Sequence, residues 1–352
     1  MNLDDLELFA RLDSQAMGEA IDGLPDQLAA AWGLGQEFDL PAIDDIERVV
    51  IAGLGGSAIG ADLLRAYAVN QAEVPIEVWR DYDLPAYAAG PATLVIASSH
   101  SGNTEETLSG FERGLAQGAS LLAVTTGGEL AERAEAEGVP VWRFEHDAQP
   151  RAAVGYSFGL LLAALCRLGL LPDAAADVVD AVEEMKRQQK QLTAEVTVTS
   201  NPAKRMAGQL IDRWPTIIGA EFLGPVARRW RTQIAELAKA VAQFEILPEA
   251  DHNMVAGVEA PEGLFGATMV VFLEAAALHP RNRVRTRLTR EILMVEGFNT
   301  DAIRAVGQSK LAQQWTPLHF GDYVSYYLAM AYETDPSPVR AIASLKERLE
   351  EV

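Results

Sequence analysis

Residues 98–107 read Ser-Ser-His-Ser-Gly-Asn-Thr-Glu-Glu-Thr, and this stretch decides the fold. The apolar, partly β-branched run at 93–97 precedes it and predicts a buried strand. The amphipathic pattern at 108–116 follows it and predicts a helix. Asn103 and Glu106 have the spacing of a capping box, so this helix is predicted to begin near Asn103. The stretch is therefore interpreted as a turn between a strand and a helix.

The hydroxyl groups of this turn indicate an anion-binding site. Ser99, Ser101 and Thr104 surround Gly102, which supplies backbone freedom. At the start of a helix, free backbone N–H groups and the positive end of the helix dipole both favour an anion. The turn contains no Lys or Arg, which suits a phosphate held by neutral donors. The alternative is a polar turn with an ordinary cap, and three hydroxyls around one glycine make phosphate the better interpretation.

Strand and helix patterns alternate along the chain, which is typical of doubly wound parallel sheets. In the first part of the chain, strands are predicted at 49–52, 76–79, 94–97, 121–124 and 139–144. A Thr/Ser/Pro-rich segment at 196–202 is the predicted domain boundary. Beyond it, strands are predicted at 216–219, 268–273 and 301–306, and helices at 225–241, 282–296 and 311–332. The sequence thus predicts an α/β protein with tandem domains at 1–200 and 201–352.

A second glycine-rich turn follows the first predicted strand, and its sequence is compatible with two kinds of ligand, a dinucleotide or a phosphosugar. Gly53, Gly55 and Ala58 match the alanine-ended dinucleotide fingerprint, and Asp81 could bind a ribose. However, Gly56 and Ser57 add a further tight turn and a hydroxyl. Because a phosphosugar gripped from two turns requires both turns and a dinucleotide does not, we favour the phosphosugar over NAD.

The composition indicates a globular, cytoplasmic protein. Apolar residues make up 49% of the chain and charged residues 22%, and no apolar run reaches the roughly 18 residues that span a bilayer. The formal net charge of −21 argues against binding to nucleic acid or an anionic membrane. A single cysteine, Cys166, excludes a disulfide framework. The five histidines are dispersed and show no metal-binding spacing, so no metal centre is expected.

Three further candidates have ordinary alternatives. Arg151 stands near the N-terminus of an apolar helix, where the dipole is unfavourable for a cation, so an anionic partner is expected. Glu236 lies three residues before Lys239 on a predicted helix, and a solvated ion pair between the two is the simplest interpretation. His252 could be a plain surface histidine.

In order along the chain, these motifs resemble the bifunctional phosphoglucose/phosphomannose isomerases, a branch of the sugar isomerase (SIS) domain family. The likeness extends over nearly the whole chain. It rests on Gly-Gly-Ser at 55–57, Ser-x-Ser-Gly-Asn-Thr-x-Glu-Thr at 99–107, Pro-Arg at 150–151, Gln-Ile-x-Glu-x-x-Lys at 233–239, Pro-Glu-x-x-His-Asn at 248–253 and Leu-Lys-Glu-Arg at 345–348.

The resemblance implies two SIS-like domains, no cofactor, and the interconversion of glucose 6-phosphate or mannose 6-phosphate with fructose 6-phosphate through a cis-enediol. It implies that Glu236 is the proton-shuttling base, that Arg151 steadies the enediolate, and that Lys346 assists at the ring oxygen. It also implies a homodimer in which His252 of the second subunit opens the sugar ring. The residues implied around the phosphate are Gly56, Ser57, Ser99, Ser101 and Thr104.

The sequence departs from the family pattern at two places. Ala235 and Leu237 flank Glu236 where the family commonly has asparagines, and His100 occupies a position where an aromatic residue such as Tyr is usual. The alternative function is therefore a regulatory SIS protein that binds a phosphosugar without isomerising it.

Overall fold

The structure is a computed structural model that describes residues 2–43 and 45–351. Among these residues the strands form two fully parallel sheets, with the orders β2-β1-β3-β4-β5 and β7-β6-β8-β9. The strands are β1 Arg48–Ala52, β2 Ile76–Trp79, β3 Thr93–Ser99, β4 Ser120–Thr125, β5 Val141–Arg143, β6 Trp214–Ala220, β7 Gln243–Leu247, β8 Thr268–Glu274 and β9 Asn299–Arg304. The predicted α/β class is confirmed.

Helices cover both sheets. They are α1 Leu6–Leu12, α2 Met17–Asp22, α3 Leu24–Gly35, α4 Gly55–Ala68, α5 Glu105–Ala116, α6 Gly128–Ala136, α7 Val154–Arg167, α8 Ala175–Gln189, α9 Pro202–Leu210, α10 Gly224–Leu237, α11 Pro280–Val295, α12 Lys310–Ala331 and α13 Arg340–Glu350. None of the helices that the structure describes combines the length and the apolar character needed to span a bilayer.

The central strands are buried along nearly their whole length because helices cover both of their faces. In β3 every residue is buried, and in β1 only the first residue is partly exposed. Such near-continuous burial is characteristic of parallel sheets and explains why these strands lack an alternating pattern.

Helix α12 joins the two halves of the molecule. It is buried on all sides, from Leu311 to Met330, and it packs against α2, α4 and α8 as well as against α9 and α10. The side-chain amide of Gln314 donates to the carbonyl oxygens of Leu63 and Phe222, at 3.1 and 3.0 Å. Because Leu63 lies on α4 and Phe222 follows β6, a single side chain links the two sheets.

A histidine in α12 is fully buried and electrically neutral. Its Nε2 atom lies 2.9 Å from the carbonyl oxygen of Ile21, and it therefore donates a hydrogen bond to it. Burial lowers the pKa of His319 to about 4, and the nearby Arg229 adds to this effect.

This burial predicts a specific loss of stability in acid. The unfolded chain binds a proton at His319 below about pH 6.5, whereas the folded chain does not until about pH 4, so stability falls as the pH drops through this window. We expect the contribution of His319 to fall by about 2 kcal/mol between about pH 7.5 and pH 5. His319→Gln, which can still donate to Ile21 but does not titrate, should lose less stability over this range in urea unfolding. His279→Gln at an exposed position is the control, and an equal pH dependence in wild type and His319→Gln would contradict the prediction.

Candidate functional site

The two hydroxyl-bearing turns meet at the centre of the first sheet. Strands β1 and β3 are neighbours, whereas the strand that lies between them in sequence pairs on the outer side of β1. This arrangement creates a topological switch point, and ligands of doubly wound sheets bind in the crevice at the carboxyl ends of the strands there. Both turns leave the sheet at this crevice.

In the turn after β1, glycines allow segments to pack closely. A Cβ atom added at Gly53 would lie 2.7 Å from the carbonyl oxygen of Ser98, and one added at Gly56 would lie 2.7 Å from that of Pro150. Helix α4 begins at Gly55, within the glycine-rich turn itself, so Ser57 is a buried member of its first turn. The backbone next to Ser57 therefore touches both the end of β3 and the segment that carries Arg151.

The turn after β3 is organised by its own hydroxyl groups. The Ser99 Oγ atom accepts a hydrogen bond from the Gly102 N–H at 3.1 Å and lies 3.0 Å from Thr104 Oγ1. Ser101 Oγ accepts from the Asn103 N–H at 3.2 Å. Gly102 has a φ of +70°, and a Cβ atom there would lie 1.8 Å from the carbonyl oxygen of Gly127, so only glycine fits.

The predicted capping box in this turn is wrong. Helix α5 begins at Glu105, and the Asn103 side chain accepts its hydrogen bond from the backbone N–H of Glu129 at 2.9 Å. Glu129 lies in the first turn of α6, which has unsatisfied N–H groups of its own. Asn103 thus links two neighbouring turns instead of capping its own helix. The N–H group that it pairs with, that of Glu129, could not be predicted from the sequence around Asn103.

Arg151 is held in a buried position beside the crevice. It lies in the short 3₁₀ turn Pro150–Ala152, and its side chain is only 6% exposed. Its Nη2 group donates to the carbonyl oxygens of Pro336, at 2.8 Å, and Ser337. Burial lowers the pKa of Arg151, and the carboxylate of Glu236 opposes this effect. The Nη1 atom lies 3.8 Å from Glu236 Oε2, so the structure brings the predicted cation and the predicted base together.

Glu236 is partly open to solvent, with its side chain 30% exposed near the end of α10. The expected ion pair with Lys239 does not occur among the described residues. Lys239 instead donates to the backbone carbonyl oxygens of Glu236, Leu237 and Pro336, at 2.5, 3.2 and 3.2 Å. Partial burial lowers the pKa of Lys239 to about 8, and the charge of Arg151 contributes. The ammonium group of Lys239 therefore binds carbonyl oxygens, and the cation that faces the carboxylate of Glu236 is Arg151.

Sequence reasoning missed the residue that positions Arg151. On α10, the buried guanidinium of Arg229 forms an ion pair with Asp322 on α12, with an Nη2–Oδ2 distance of 2.7 Å. The same Nη2 group donates to the backbone carbonyl oxygen of Arg151 at 3.1 Å. The available signal was Asp322, a lone acidic residue in a long apolar and aromatic helical run, since a buried charge requires a partner.

Two predicted residues are not brought to Glu236 within one chain. His252 is exposed at the end of a 3₁₀ turn after β7, and its neighbour Asp251 accepts hydrogen bonds from Arg285 and Thr289 of α11, at 2.8 and 2.6 Å. Lys346 lies on α13, whose residues are exposed from Arg340 to Leu349. In the part of the chain that the structure describes, neither side chain forms a hydrogen bond or ion pair with Glu236 or Arg151.

The chain is similar to several known proteins. The family model described as the bacterial phospho-glucose isomerase C-terminal SIS domain matches residues 199–349. A bifunctional phosphoglucose/phosphomannose isomerase of Caldicellulosiruptor bescii is 40% identical over 340 residues, which cover 96% of this chain and 99% of the relative. A protein of the same name from Aquifex aeolicus is 33% identical over 302 residues, which cover 86% of this chain and 90% of the relative.

A solved structure shows the same fold. The crystal structure of a hypothetical protein from Thermus thermophilus superposes with a TM-score of 0.76 at 18% identity, covering 99% of this chain and 93% of the other. At this level of identity the likeness concerns the fold alone.

The hydroxyl groups of the second turn should contribute directly to phosphate affinity. We expect Ser101→Ala combined with Thr104→Ala to weaken the binding of fructose 6-phosphate by about tenfold or more, because a hydrogen bond to a charged group contributes about 1.5–3 kcal/mol. Calorimetric titration measures the affinity. Thr197→Ala combined with Thr199→Ala removes an exposed hydroxyl pair elsewhere and is the matched control. Unchanged affinity in the first double variant would remove this turn from the site.

Proposed function

We propose an activity for this chain on the premise that it belongs to the bifunctional phosphoglucose/phosphomannose isomerase family. The chain is an aldose–ketose isomerase that interconverts glucose 6-phosphate or mannose 6-phosphate with fructose 6-phosphate. The observation that supports this most directly is the Glu236 carboxylate, 3.8 Å from the buried guanidinium of Arg151 and next to a crevice lined with hydroxyl groups.

The reaction moves one proton between two neighbouring carbons. Once the sugar ring is open, C1 of the aldose is a carbonyl carbon and the proton on C2 becomes acidic. The Glu236 carboxylate takes this proton, the electron pair of the C–H bond forms the C1–C2 double bond, and the π pair of the carbonyl moves to O1, which gives a cis-enediolate. O1 gains a proton to give the cis-enediol and the O2 hydroxyl gives one up, so the number of protons on the two oxygens is unchanged overall. Glu236 then returns its proton to C1, where the C1–C2 π pair forms the new C–H bond, and the electron pair on O2 forms the carbonyl of the ketose. Since one base serves both transfers at carbon, a single carboxylate at the edge of the crevice is sufficient for them.

Arg151 stabilises the negative charge that develops on the substrate oxygen during proton removal. A guanidinium remains protonated throughout the physiological range, so the charge is present before the reaction begins. Within the described residues, the Nε–H group of Arg151 is buried and has no hydrogen-bond partner. A buried donor without a partner is costly, and a substrate oxygen in the crevice would satisfy it.

Phosphate binding falls to the two turns at the switch point. We assign the contacts to Gly56, Ser57, Ser99, Ser101 and Thr104, which offer backbone N–H groups and neutral hydroxyl donors. The phosphate thus lies at one end of the crevice and Glu236 at the other. The domains at 1–200 and 201–352 each supply one of these ends, and the enzyme acts in the cytoplasm without a cofactor.

Ring opening requires an acid at the ring oxygen, and we assign it to His252 of a second subunit, assisted by Lys346. Two observations support a homodimer. His252 is exposed on a turn fixed by Asp251 to α11, and it makes no contact with Glu236 of its own chain among those that the structure describes. On α13, which carries Lys346, the side chains of Ile342, Leu345 and Leu349 form an exposed apolar stripe that a second copy of the chain can cover.

The two alternatives from the sequence have less support. The full-length relatives bear the names of enzymes, which disfavours a regulatory protein that only binds phosphosugars. Gly56 is not required by the dinucleotide fingerprint. A Cβ atom there would lie 2.7 Å from the carbonyl oxygen of Pro150, so a glycine at this position lets the segment that carries Arg151 pack closely. A coupled assay with each hexose 6-phosphate tests the isomerase directly, and fluorescence on mixing with NADH tests the dinucleotide.

Removing the base should abolish turnover and spare binding. Glu236→Gln keeps the shape of the side chain but cannot accept a proton, so kcat should fall by at least about 10²-fold while fructose 6-phosphate still binds. Glu291→Gln on the exposed surface of α11 is the control and should remain active. Near-normal turnover of Glu236→Gln with both substrates would show that the base has been misassigned.

Mixing two inactive variants should restore activity if the site is shared between subunits. Glu236→Gln and His252→Ala homodimers should each be nearly inactive. After gentle dissociation and mixing, about half of the dimers are heterodimers with one intact site each, so about a quarter of wild-type activity should return. Native mass spectrometry confirms that the heterodimers have formed. If they form and no activity returns, Glu236 and His252 act within one chain.

A further inference from the structure

Two histidines that the proposed reaction does not use meet beside the phosphate crevice. His100 stands between Ser99 and Ser101 in the turn after β3, and His146 lies between β5 and Pro150. The Nε2 atom of His100 is 2.9 Å from the Nδ1 atom of His146, which is a hydrogen bond between the two imidazoles.

Aromatic side chains enclose the pair. The ring of Phe144 meets His100 edge-on at 5.9 Å, and Tyr156 meets His146 in the same way at 5.9 Å. Phe144 and Tyr156 are themselves stacked at 4.8 Å. Burial lowers the pKa of His100 to about 4, with the charge of His146 contributing, and it also lowers the pKa of His146, although Asp147 opposes this. Both imidazoles are therefore neutral near pH 7.

The short distance restricts the protonation states of the pair. One of the two facing nitrogens must carry hydrogen and the other must accept it. This condition holds for two neutral rings with complementary tautomers and for a pair that shares one added proton. It fails when both rings are protonated, because two N–H groups then face each other. Besides the two histidines, Asp147 acts electrostatically on His146, and Glu145 acts on Tyr156, whose ring meets His146.

The hydrogen bond joins the hydroxyl-bearing turn after β3 to the segment that leads into Arg151. The carbonyl oxygen of His100 is fixed by Thr126, whose N–H and hydroxyl groups donate to it at 3.1 and 2.7 Å. His146 lies four residues before Pro150, whose backbone packs on Gly56 and leads directly into Arg151. The hydroxyl turn and the Arg151 segment have no covalent connection nearby, so a contact between them sets their spacing.

We propose that the His100–His146 hydrogen bond positions the phosphate-binding turn against the segment that carries Arg151. It rests on the proposed function in taking a sugar phosphate as the ligand of this crevice. The two histidines do not touch the reacting atoms and are positioning residues. Losing the bond removes the side-chain link between the turn and that segment and weakens phosphate binding, whereas the Arg151 that faces Glu236 is held separately by Arg229 and by the carbonyl oxygens of Pro336 and Ser337.

Two substitutions at one position separate the hydrogen bond from the packing. His146→Phe keeps an aromatic ring against Tyr156 but removes the bond, whereas His146→Asn places an amide group near the position of Nδ1 and can restore it. We expect His146→Phe to raise the KM and the Kd for fructose 6-phosphate by about tenfold, a coupling typical of contacting residues, with a much smaller change in kcat. His146→Asn should remain within about twofold of wild type.

A double variant tests whether the residues act as a pair. His100→Phe alone should weaken binding as much as His146→Phe alone, and combining them should add little, because the bond is lost only once. The proposal is overturned if both Phe variants bind as tightly as wild type, or if His146→Asn loses as much affinity as His146→Phe. Imidazole ¹⁵N NMR of the wild-type protein is independent of any variant. Two histidines that titrate independently near the ordinary pKa of about 6.5 would also overturn the proposal.

Failure of the proposed function has a different signature. Wild-type protein that turns over neither hexose 6-phosphate would contradict the isomerase assignment. The histidine pair is then judged by calorimetric titration of inorganic phosphate into wild type, His146→Phe and His146→Asn, which requires no turnover. Equal phosphate affinity in all three proteins would refute the positioning role on its own.

Discussion

The buried guanidinium of Arg229 is the constraint on which the candidate site depends. It forms an ion pair with Asp322 on α12 and donates to the backbone carbonyl oxygen of Arg151, so three distant segments meet at one side chain. Removing either partner of a buried ion pair leaves an uncompensated charge, which is strongly destabilising. The backbone of Arg151 is therefore tied to a charge interaction in the core, and the carbonyl oxygens of Pro336 and Ser337 then hold its side chain beside Glu236.

The site resolves the apparent conflict between an acidic protein and an anionic ligand. The chain carries a formal charge of −21, yet Arg151 and Lys239 both donate to the carbonyl oxygen of Pro336, and the carboxylates of Glu236 and Asp335 act on both cations. Partial loss of water makes both cations less stable than they are in solution, as the lowered pKa values of Arg151 and Lys239 indicate. An incoming anion restores part of that lost stabilisation. Local burial thus provides the attraction that the net charge does not.

The sequence predicted the parallel sheets, because runs such as 93–97 are short, β-branched and continuous. It did not predict the partner of Asn103, since the donor belongs to the next helix and lies 26 residues away in the chain. Glu236 and Arg151 were each named as candidates by the resemblance to the family, but their proximity could not be predicted, since the Arg229–Asp322 pair connects distant segments that local patterns cannot relate. For the same reason the ion pair expected between Glu236 and Lys239 was wrong. The φ of +55° at Lys239 marks the end of α10, where its ammonium group reaches the last carbonyl oxygens.

The position of α12 in the fold has a consequence for the synthesis of the protein on the ribosome. This helix fills the space between the two halves, but it is encoded near the end of the chain, at Lys310–Ala331. During translation, the faces of α4 and α8 that it covers are made long before it and remain in contact with water. The first half therefore leaves the ribosome with an incomplete core, which α12 completes only after it has been synthesised. The order of the elements in the sequence therefore leaves an apolar surface exposed during synthesis. Molecular chaperones protect surfaces of this kind from aggregation.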